Sequence, residues 1–146
     1  MSPKKIITCT RRIEFDAAHR IIDHESKCKM LHGHRYVLEI TFTSPSGLDN
    51  LGRVIDFGNI KEILGTWINK NFDHNTILSI NDKKLGDFIN SHTGQKIYYL
   101  PENPTAENIA KYLFEKICPK LFAEYKVSII KIKIFETPNC STEIYE

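Results

Sequence analysis

Residues 35–44 alternate apolar and polar side chains, and this pattern constrains the fold more than any other feature of the sequence. A period of two residues is typical of a strand with one buried and one solvated face. Residues 127–136 repeat the alternation, and residues 6–15, rich in Ile and Thr, follow it with an exception at Arg11. We therefore predict strands in these segments, and a short fourth strand within residues 141–146.

The middle of the chain has the periodicity of helices. From Asp56 onward, apolar residues recur every three or four positions, which predicts an amphipathic helix that ends near Asn71. A second stripe of this kind follows Thr105, which has the character of a helix N-cap, and Pro119 predicts the end of that helix.

The segment between the two helices, residues 75–103, is polar, and we predict a loop that holds at most a short strand at residues 96–100. The predicted order is then ββααββ, an α+β fold in which an antiparallel sheet carries two helices on one face. A chain of 146 residues fits a single domain, residues 1–146, with enough core to fold without a structural metal.

Charge and hydropathy exclude two classes of partner. Twenty Lys and Arg against eighteen Asp and Glu leave a net charge of +2, too small for a protein that neutralises a nucleic-acid backbone. No apolar run approaches the roughly 20 residues that a membrane span needs. The basic N-terminal residues are not followed by the apolar segment of a signal peptide, so we expect a cytoplasmic protein. Its four widely spaced cysteines are expected to be free thiols.

The densest group of chemically reactive side chains comes directly before the strand at residues 35–44. His32 and His34 are two positions apart, so on a strand they point to the same face, and Gly33 leaves room between them. His19 follows the first strand, and an antiparallel hairpin would bring it beside this pair. Three neutral imidazoles with one open position describe a catalytic zinc site.

Two other interpretations of these histidines stay open on sequence alone. Cys28 could close the metal shell, which would give a structural site of one thiolate and three imidazoles. Alternatively, the histidines are unrelated surface residues, since pairs of histidines at this spacing are common.

A second group of reactive side chains, Asp73 and His74, follows the first predicted helix directly. An acid beside an imidazole can orient the ring, and such a pair can act as a base or activate a thiol. The same pair is also typical of a solvated helix end.

Glu136 falls on the apolar face of its predicted strand, where an unpaired carboxylate would be costly. It therefore either meets a ligand, a cation or backbone amides, or the strand frays and the carboxylate reaches water. Thr105 and Glu107 are explained by helix capping alone, as an N-cap and an acid in the first turn.

Six segments in this order make the chain resemble the 6-pyruvoyl-tetrahydropterin synthase family over nearly its whole length. The segments are residues 15–19, Cys28 with residues 32–34, residues 54–58, residues 72–75, residues 103–108 and residues 135–137. Three residues separate Cys28 from His32, the spacing of the 6-carboxytetrahydropterin synthase branch, whereas pyruvoyl-forming members usually have a longer interval. The resemblance implies the tunnelling fold, in which ββααββ sheets join into a barrel. It also implies a homo-hexamer, a dimer of trimers, with active sites between subunits.

The resemblance also implies a role for each candidate residue. The zinc ligands would be His19, His32 and His34. The residues that transfer protons would be Cys28, Asp73 and His74. The residues around the pterin ring would be Glu136, as its anchor, with Thr105 and Glu107.

The implied activity is the zinc-dependent conversion of 7,8-dihydroneopterin triphosphate to 6-carboxy-5,6,7,8-tetrahydropterin, with release of acetaldehyde and triphosphate, in queuosine and 7-deazapurine biosynthesis. Formation of 6-pyruvoyl-tetrahydropterin is the alternative within the family, and a nonenzymatic zinc-stabilised binding module is the alternative outside it. On charge alone, four basic residues near these motifs could neighbour the triphosphate, but we interpret them as solvated surface: Arg20, Lys27, Lys29 and Arg35.

Overall fold

A computed structural model describes residues 2–146, which are built around a six-stranded mixed sheet. The strands are β1 (Thr8–His19), β2 (His32–Thr43), β3 (Asn75–Ser79), β4 (Ile97–Leu100), β5 (Ser128–Thr137) and β6 (Cys140–Tyr145). The helices are α1 (Phe57–Asn71), α2 (Lys83–Thr93), α3 (Ala106–Tyr112) and the short α4 (Cys118–Leu121). The strands lie in the order β4-β3-β1-β2-β5-β6.

The hairpin of β1 and β2 forms the centre of the sheet. The two strands pair antiparallel from Thr8 opposite Thr43 to His19 opposite His32. Both predicted strands are confirmed, and β1 continues to His19 while β2 starts at His32. The hairpin therefore ends at the predicted metal ligands.

The prediction of a loop over residues 75–103 is wrong, because this segment contains β3 and α2, although the short strand allowed at residues 96–100 is confirmed as β4. β3 pairs parallel with Ala17–His19 of β1, and β4 pairs parallel with β3. Residues 76–79 are buried as a continuous run, as in a strand that is covered on both faces, so they lack the alternation that marks a half-buried strand. The α+β class is confirmed, but two parallel strands extend the four predicted ones.

The first predicted helix is confirmed as α1. Asp56 is its N-cap, with the side chain accepting a hydrogen bond from Gly58 N at 2.7 Å. The buried stripe of Ile60, Leu64 and Ile68 faces the sheet core, as the periodicity predicts.

The second predicted helix begins as expected but does not end at Pro119. Thr105 caps α3 by accepting a hydrogen bond from Asn108 N at 3.1 Å. A π-helical turn, Leu113–Ile117, then leads into α4, in which Pro119 lies in the first turn. Proline is tolerated there because the amide it lacks would have no partner within the helix.

The helix-covered face of the sheet holds the core. Phe15, Tyr36 and Phe72 are fully buried there, and the first two rings stack with centroids 5.1 Å apart. On the edge of β1 that faces away from β2, β3 pairs with Ala17–His19, and Asp16 bonds Asp73 and His74. Within the described residues, the edge of residues 8–15 on this side is free. No helix of residues 2–146 is long and apolar enough to cross a membrane.

Candidate active site

The structure brings the three predicted zinc ligands together at the end of the central hairpin. The ring centroids of His19 and His32 are 4.7 Å apart, and that of His34 lies 5.1 Å and 4.8 Å from them. Glu136 of β5 joins this group, in which the candidate ligand atoms all lie within 4.8 Å of one another. Strand register places them, because His19 pairs with His32 and His34 follows two positions along β2.

Backbone carbonyls determine which ring nitrogen of two histidines carries the proton. His19 Nδ1 donates to Pro104 O at 2.7 Å, and His32 Nδ1 donates to Met30 O at 2.6 Å. A carbonyl oxygen only accepts, so each Nε2 keeps a lone pair when the ring is neutral. These two Nε2 atoms face each other at 3.2 Å. Two nitrogen lone pairs that point at each other repel, and a cation bound between them would remove this repulsion.

The third histidine has an unsatisfied nitrogen in the same place. His34 Nε2 is buried and makes no hydrogen bond within the part of the chain that the structure describes. It lies 3.2 Å from Glu136 Oε1, although the angles there do not suit a hydrogen bond. A buried nitrogen without a partner is costly, and a metal ion would satisfy it.

Burial favours the uncharged form of two imidazoles, those of His19 and His34. It lowers the pKa of His19 to about 4, an effect that the bond to Pro104 O opposes and the neighbouring histidines reinforce. Burial also lowers the pKa of His34, against the opposing attraction of Glu136. Metal-binding histidines must be neutral, so the environment favours the form that binds.

Tyr36 lies behind the histidines as a further support. Its hydroxyl is 3.1 Å from His19 Nδ1, and its ring meets those of His19 and His34 edge to face. Burial raises the pKa of Tyr36, and the nearby Glu136 adds to this shift, so the phenol stays protonated. Outer contacts of this kind orient metal-binding imidazoles.

This donor set fits zinc. Three imidazoles converge, two of them oriented by carbonyls and one left unsatisfied, as at three-histidine catalytic zinc sites. Cys28 is not part of the group that the described residues form, and the fourth member of that group is Glu136. The arrangement therefore does not favour the structural site of one thiolate and three imidazoles.

A cavity of about 260 Å³ opens beside the histidines. His19 and Glu136 line it, and so do Cys28, Thr105 and Glu107. Cys28 lies in a single 3₁₀ turn, Lys27–Lys29, in the connection between β1 and β2. Of the nine predicted site residues, five line this cavity, His32 and His34 complete the group of candidate metal ligands beside it, and Asp73 and His74 lie apart from both.

The Asp73–His74 pair lies on the opposite face of β1 from the cavity. Asp73 Oδ2 is 3.0 Å from His74 Nδ1, and these side chains form a group with that of Asp16. Asp16 and His19 are three positions apart on β1, so their side chains point to opposite faces of the strand. The Asp73–His74 pair, on the Asp16 side, therefore faces outward. The His74 side chain is 77% exposed. Within one chain, therefore, the structure does not bring this pair to Cys28.

Backbone contacts hold the Asp73–His74 pair in place. Asp16 N donates to Asp73 Oδ1 at 2.9 Å, and His74 N donates to Asp16 O at 2.7 Å. His74 adopts a left-handed backbone with φ of 59°, a conformation that is uncommon for a residue other than glycine. Partial burial acts to raise the pKa of Asp73, but the hydrogen bond from Asp16 N, together with His74 and Arg35, outweighs it and lowers that pKa.

Two basic residues interpreted as solvated surface have specific partners. Arg20 donates to both carboxylate oxygens of Asp82, at 2.6 Å and 2.5 Å. Arg35 pairs with Asp16 at 2.9 Å. The carbonyls of Pro104 and Met30, which accept from the histidines, could not be predicted from the sequence, because a backbone acceptor has no residue-type signal.

Comparison with known proteins identifies relatives along nearly the whole chain. The profile of the family described as 6-pyruvoyl tetrahydropterin synthase matches residues 8–146. A Rickettsia bellii protein named 6-carboxy-5,6,7,8-tetrahydropterin synthase is 58% identical over 139 residues, covering 95% of this chain and 100% of that protein. A Rickettsia conorii protein of the same name is 55% identical with the same coverage.

A solved structure shows the same fold. The crystal structure of 6-pyruvoyl tetrahydropterin synthase from Plasmodium vivax superposes with a TM-score of 0.71 at 17% identity. The match covers 98% of this chain and 99% of that one. At this identity the similarity supports the fold, and the predicted fold family is thereby confirmed.

Proposed function

We propose that this chain, which belongs to the 6-pyruvoyl tetrahydropterin synthase family, converts 7,8-dihydroneopterin triphosphate and water to 6-carboxy-5,6,7,8-tetrahydropterin, acetaldehyde and triphosphate. The observation that carries the proposal is the convergence of three oriented imidazoles beside a cavity that Cys28 also lines. The relatives at 55–58% identity, which carry the name of this reaction, support the choice of product.

Zinc is the proposed cofactor, held by His19, His32 and His34. When bound, zinc would polarise the side-chain hydroxyls of the substrate and make them more acidic. The carbonyls of Pro104 and Met30 keep two of the imidazoles in the tautomer that presents a lone pair. The metal site is therefore prepared within a single chain.

Glu136 is the proposed anchor of the pterin ring. A carboxylate can accept two parallel hydrogen bonds, here from the 2-amino group and the ring N3–H of the pterin. Glu136 stays within β5 and its side chain is 25% exposed, so the strand does not fray before it as the alternative interpretation required. Thr105 and Glu107 line the same cavity and would contact the ring from the start of α3.

Cys28 is the proposed proton-transferring thiol. It lines the cavity without belonging to the metal group, so its sulfur is free to exchange a proton with a substrate carbon. Asp73 would orient the His74 ring through their contact at 3.0 Å. Because this pair faces away from the cavity of its own chain, we propose that it serves the Cys28 of a neighbouring subunit.

A homo-hexamer of two trimers would supply that neighbour. The β3-side edge of residues 8–15 lacks a partner among the described residues, and β6 is the last strand of the sheet. Free edges of this kind are paired when sheets close into a barrel. Pairing β1 of one subunit with β6 of the next would close such a barrel.

The proposed setting is the cytoplasm, in queuosine and 7-deazapurine biosynthesis. The four cysteines are free thiols in the structure, as expected in a reducing compartment. A pterin triphosphate is the expected partner, and the net charge of +2 supports no role in nucleic-acid binding.

Mass spectrometry of the products tests the proposal. Zinc-loaded protein incubated with 7,8-dihydroneopterin triphosphate should give 6-carboxytetrahydropterin and acetaldehyde. Cys28→Ala should abolish product formation and keep zinc, whereas Cys140→Ala, a change of the other thiol beside the cavity, should retain both.

Other products would distinguish the alternatives. Formation of 6-pyruvoyl-tetrahydropterin would keep the fold and the site but overturn the proposed branch. No turnover of any pterin by correctly assembled, zinc-loaded protein would favour the nonenzymatic binding module, as would cooperative unfolding on chelation.

A further inference from the structure

The connection that carries Cys28 is fixed at its start. This connection, residues 20–31, joins β1 to β2, and Ile21 N donates to Cys28 O at 2.9 Å. The bond closes the connection so that the position of Ile21 and the position of Cys28 depend on each other. Whatever holds the residues next to His19 therefore also places the thiol.

An ion pair holds the first residue of the connection. Arg20 Nε and Nη2 bind the two carboxylate oxygens of Asp82 at 2.6 Å and 2.5 Å. The Asp82 side chain is 6% exposed, although it comes just before α2. It makes no capping hydrogen bond to the helix, so its carboxylate is committed to Arg20. Two parallel bonds of this kind fix an angle as well as a distance.

An asparagine holds the third residue of the connection from both sides. Asn103 Oδ1 accepts from Ile22 N at 3.2 Å, and Asn103 Nδ2 donates to Ile22 O at 3.1 Å. The carbonyl of Asn103 in turn accepts from Thr105 N at 2.8 Å and from Asn108 Nδ2 at 2.9 Å. The start of α3 thus supports the asparagine that grips Ile22.

We propose that Arg20, Asp82 and Asn103 form a clasp that positions Cys28 in the cavity. The clasp joins the connection to Asp82 and Asn103, which both lie in the segment 75–103 that the sequence predicts as a loop. Its members do not line the cavity, so they are positioning residues that act through Ile21 and Ile22. The inference rests on the proposed role of Cys28, and small displacements of a reacting group are known to cost large factors in rate.

The variant Asp82→Asn tests the clasp. It keeps the size of the side chain and leaves Arg20, which is 36% exposed, able to reach water. We expect kcat to fall by about tenfold, with KM and zinc content unchanged. Peptide-resolved alkylation by iodoacetamide should show Cys28 reacting at least about threefold faster, because the connection opens more often. The rate for Cys140 should stay unchanged.

Asp87→Asn is the matched control. It makes the same chemical change on α2, in the exposed pair of Asp87 with Lys83, which makes no contact with the connection. Its kcat and alkylation rates should equal those of the wild type. The double variant Arg20→Gln/Asp82→Asn should lose no more activity than Asp82→Asn, since both changes break one interaction.

Three results would overturn the clasp. One is a folded Asp82→Asn protein with wild-type kcat and wild-type Cys28 alkylation. Another is a loss of zinc together with the fall in kcat, which would mean that the Arg20–Asp82 pair supports His19 and not Cys28. The third is an equal rise in the alkylation rates of Cys28 and Cys140, which would mean that the whole fold has become less stable. If Asp82→Asn does not fold, Arg20→Lys makes the same test, because it keeps the charge but loses the two-bond geometry. If the wild type forms no pterin product, the proposed function fails, yet the alkylation rates still test the clasp.

Discussion

The histidine cluster and the Asp73–His74 pair both adjoin the last residues of β1, yet they differ in how complete they are within one chain. In the cluster, carbonyls orient two buried rings, and the third presents a buried nitrogen to the same space. The Asp73–His74 pair faces away from the cavity, with the His74 side chain mostly exposed. The difference indicates that the register of one hairpin brings together the histidines of the proposed metal site, whereas the proposed proton transfer would depend on assembly.

The largest effect should follow removal of an imidazole. His32→Ala is expected to weaken zinc binding by at least about 100-fold, since loss of an outer-shell contact alone costs about 10–100-fold, and product formation should cease. Competition with a chromophoric chelator measures the affinity. His92→Ala, a change at an exposed histidine on α2, should leave zinc binding intact. Unchanged zinc affinity in His32→Ala would show that the cluster is not the metal site.

Mixed oligomers test the other half of the comparison. Cys28→Ala and His74→Ala should each lower activity by about 10²–10⁴-fold, the usual contribution of positioned acid–base groups. If the two residues meet across subunits, co-expressed and tandem-purified hybrids should regain activity in about a quarter of their sites, because random mixing pairs an intact thiol with an intact imidazole that often. Hybrids as inactive as either parent would contradict a relay between subunits.

The hairpin and its histidines could be predicted because their signals are local. Alternation over residues 35–44 indicates the buried face, and the spacing of His32 and His34 puts both rings on one side. β3 escaped prediction because strands buried on both faces do not alternate. The Arg20–Asp82 pair escaped it because the partners are 62 residues apart, so no local pattern joins them. The supporting carbonyls of Pro104 and Met30 could not be recognised from residue type.

Glu136 offers a way to separate the pterin anchor from the metal site. Because its carboxylate belongs to the same group of candidate ligands as the histidines, Glu136→Gln distinguishes two roles. If Glu136 is the anchor, the substitution should raise KM by about 10–100-fold and leave the zinc content unchanged. This is the loss of affinity expected when hydrogen bonds to a charged group are removed. Zinc titration and steady-state kinetics measure these quantities. Loss of zinc in Glu136→Gln would instead make Glu136 a metal ligand, and Glu143→Gln, an exposed position on β6, is the control.

The smallest effect should come from replacing Asp73, the carboxylate of the Asp73–His74 pair. The pKa of Asp73 is lowered in the folded chain, so its carboxylate stabilises the fold above the unfolded value of about 3.9. That contribution is lost as the pH falls through the lowered folded pKa. Asp73→Asn is therefore expected to reduce the free energy of unfolding by about 1 kcal/mol at neutral pH. The difference should shrink as the pH falls below about 4.

Urea unfolding of the wild type and Asp73→Asn between about pH 7 and pH 3 measures this difference. Asp87→Asn, in an exposed pair on α2, should change stability by less than about 0.5 kcal/mol. A difference for Asp73→Asn that is the same at every pH would mean that the side chain acts through shape and neutral hydrogen bonding. The proposed orientation of His74 by a charged carboxylate would then lose its support, whereas the histidine cluster, which needs no help from Asp73, would be unaffected.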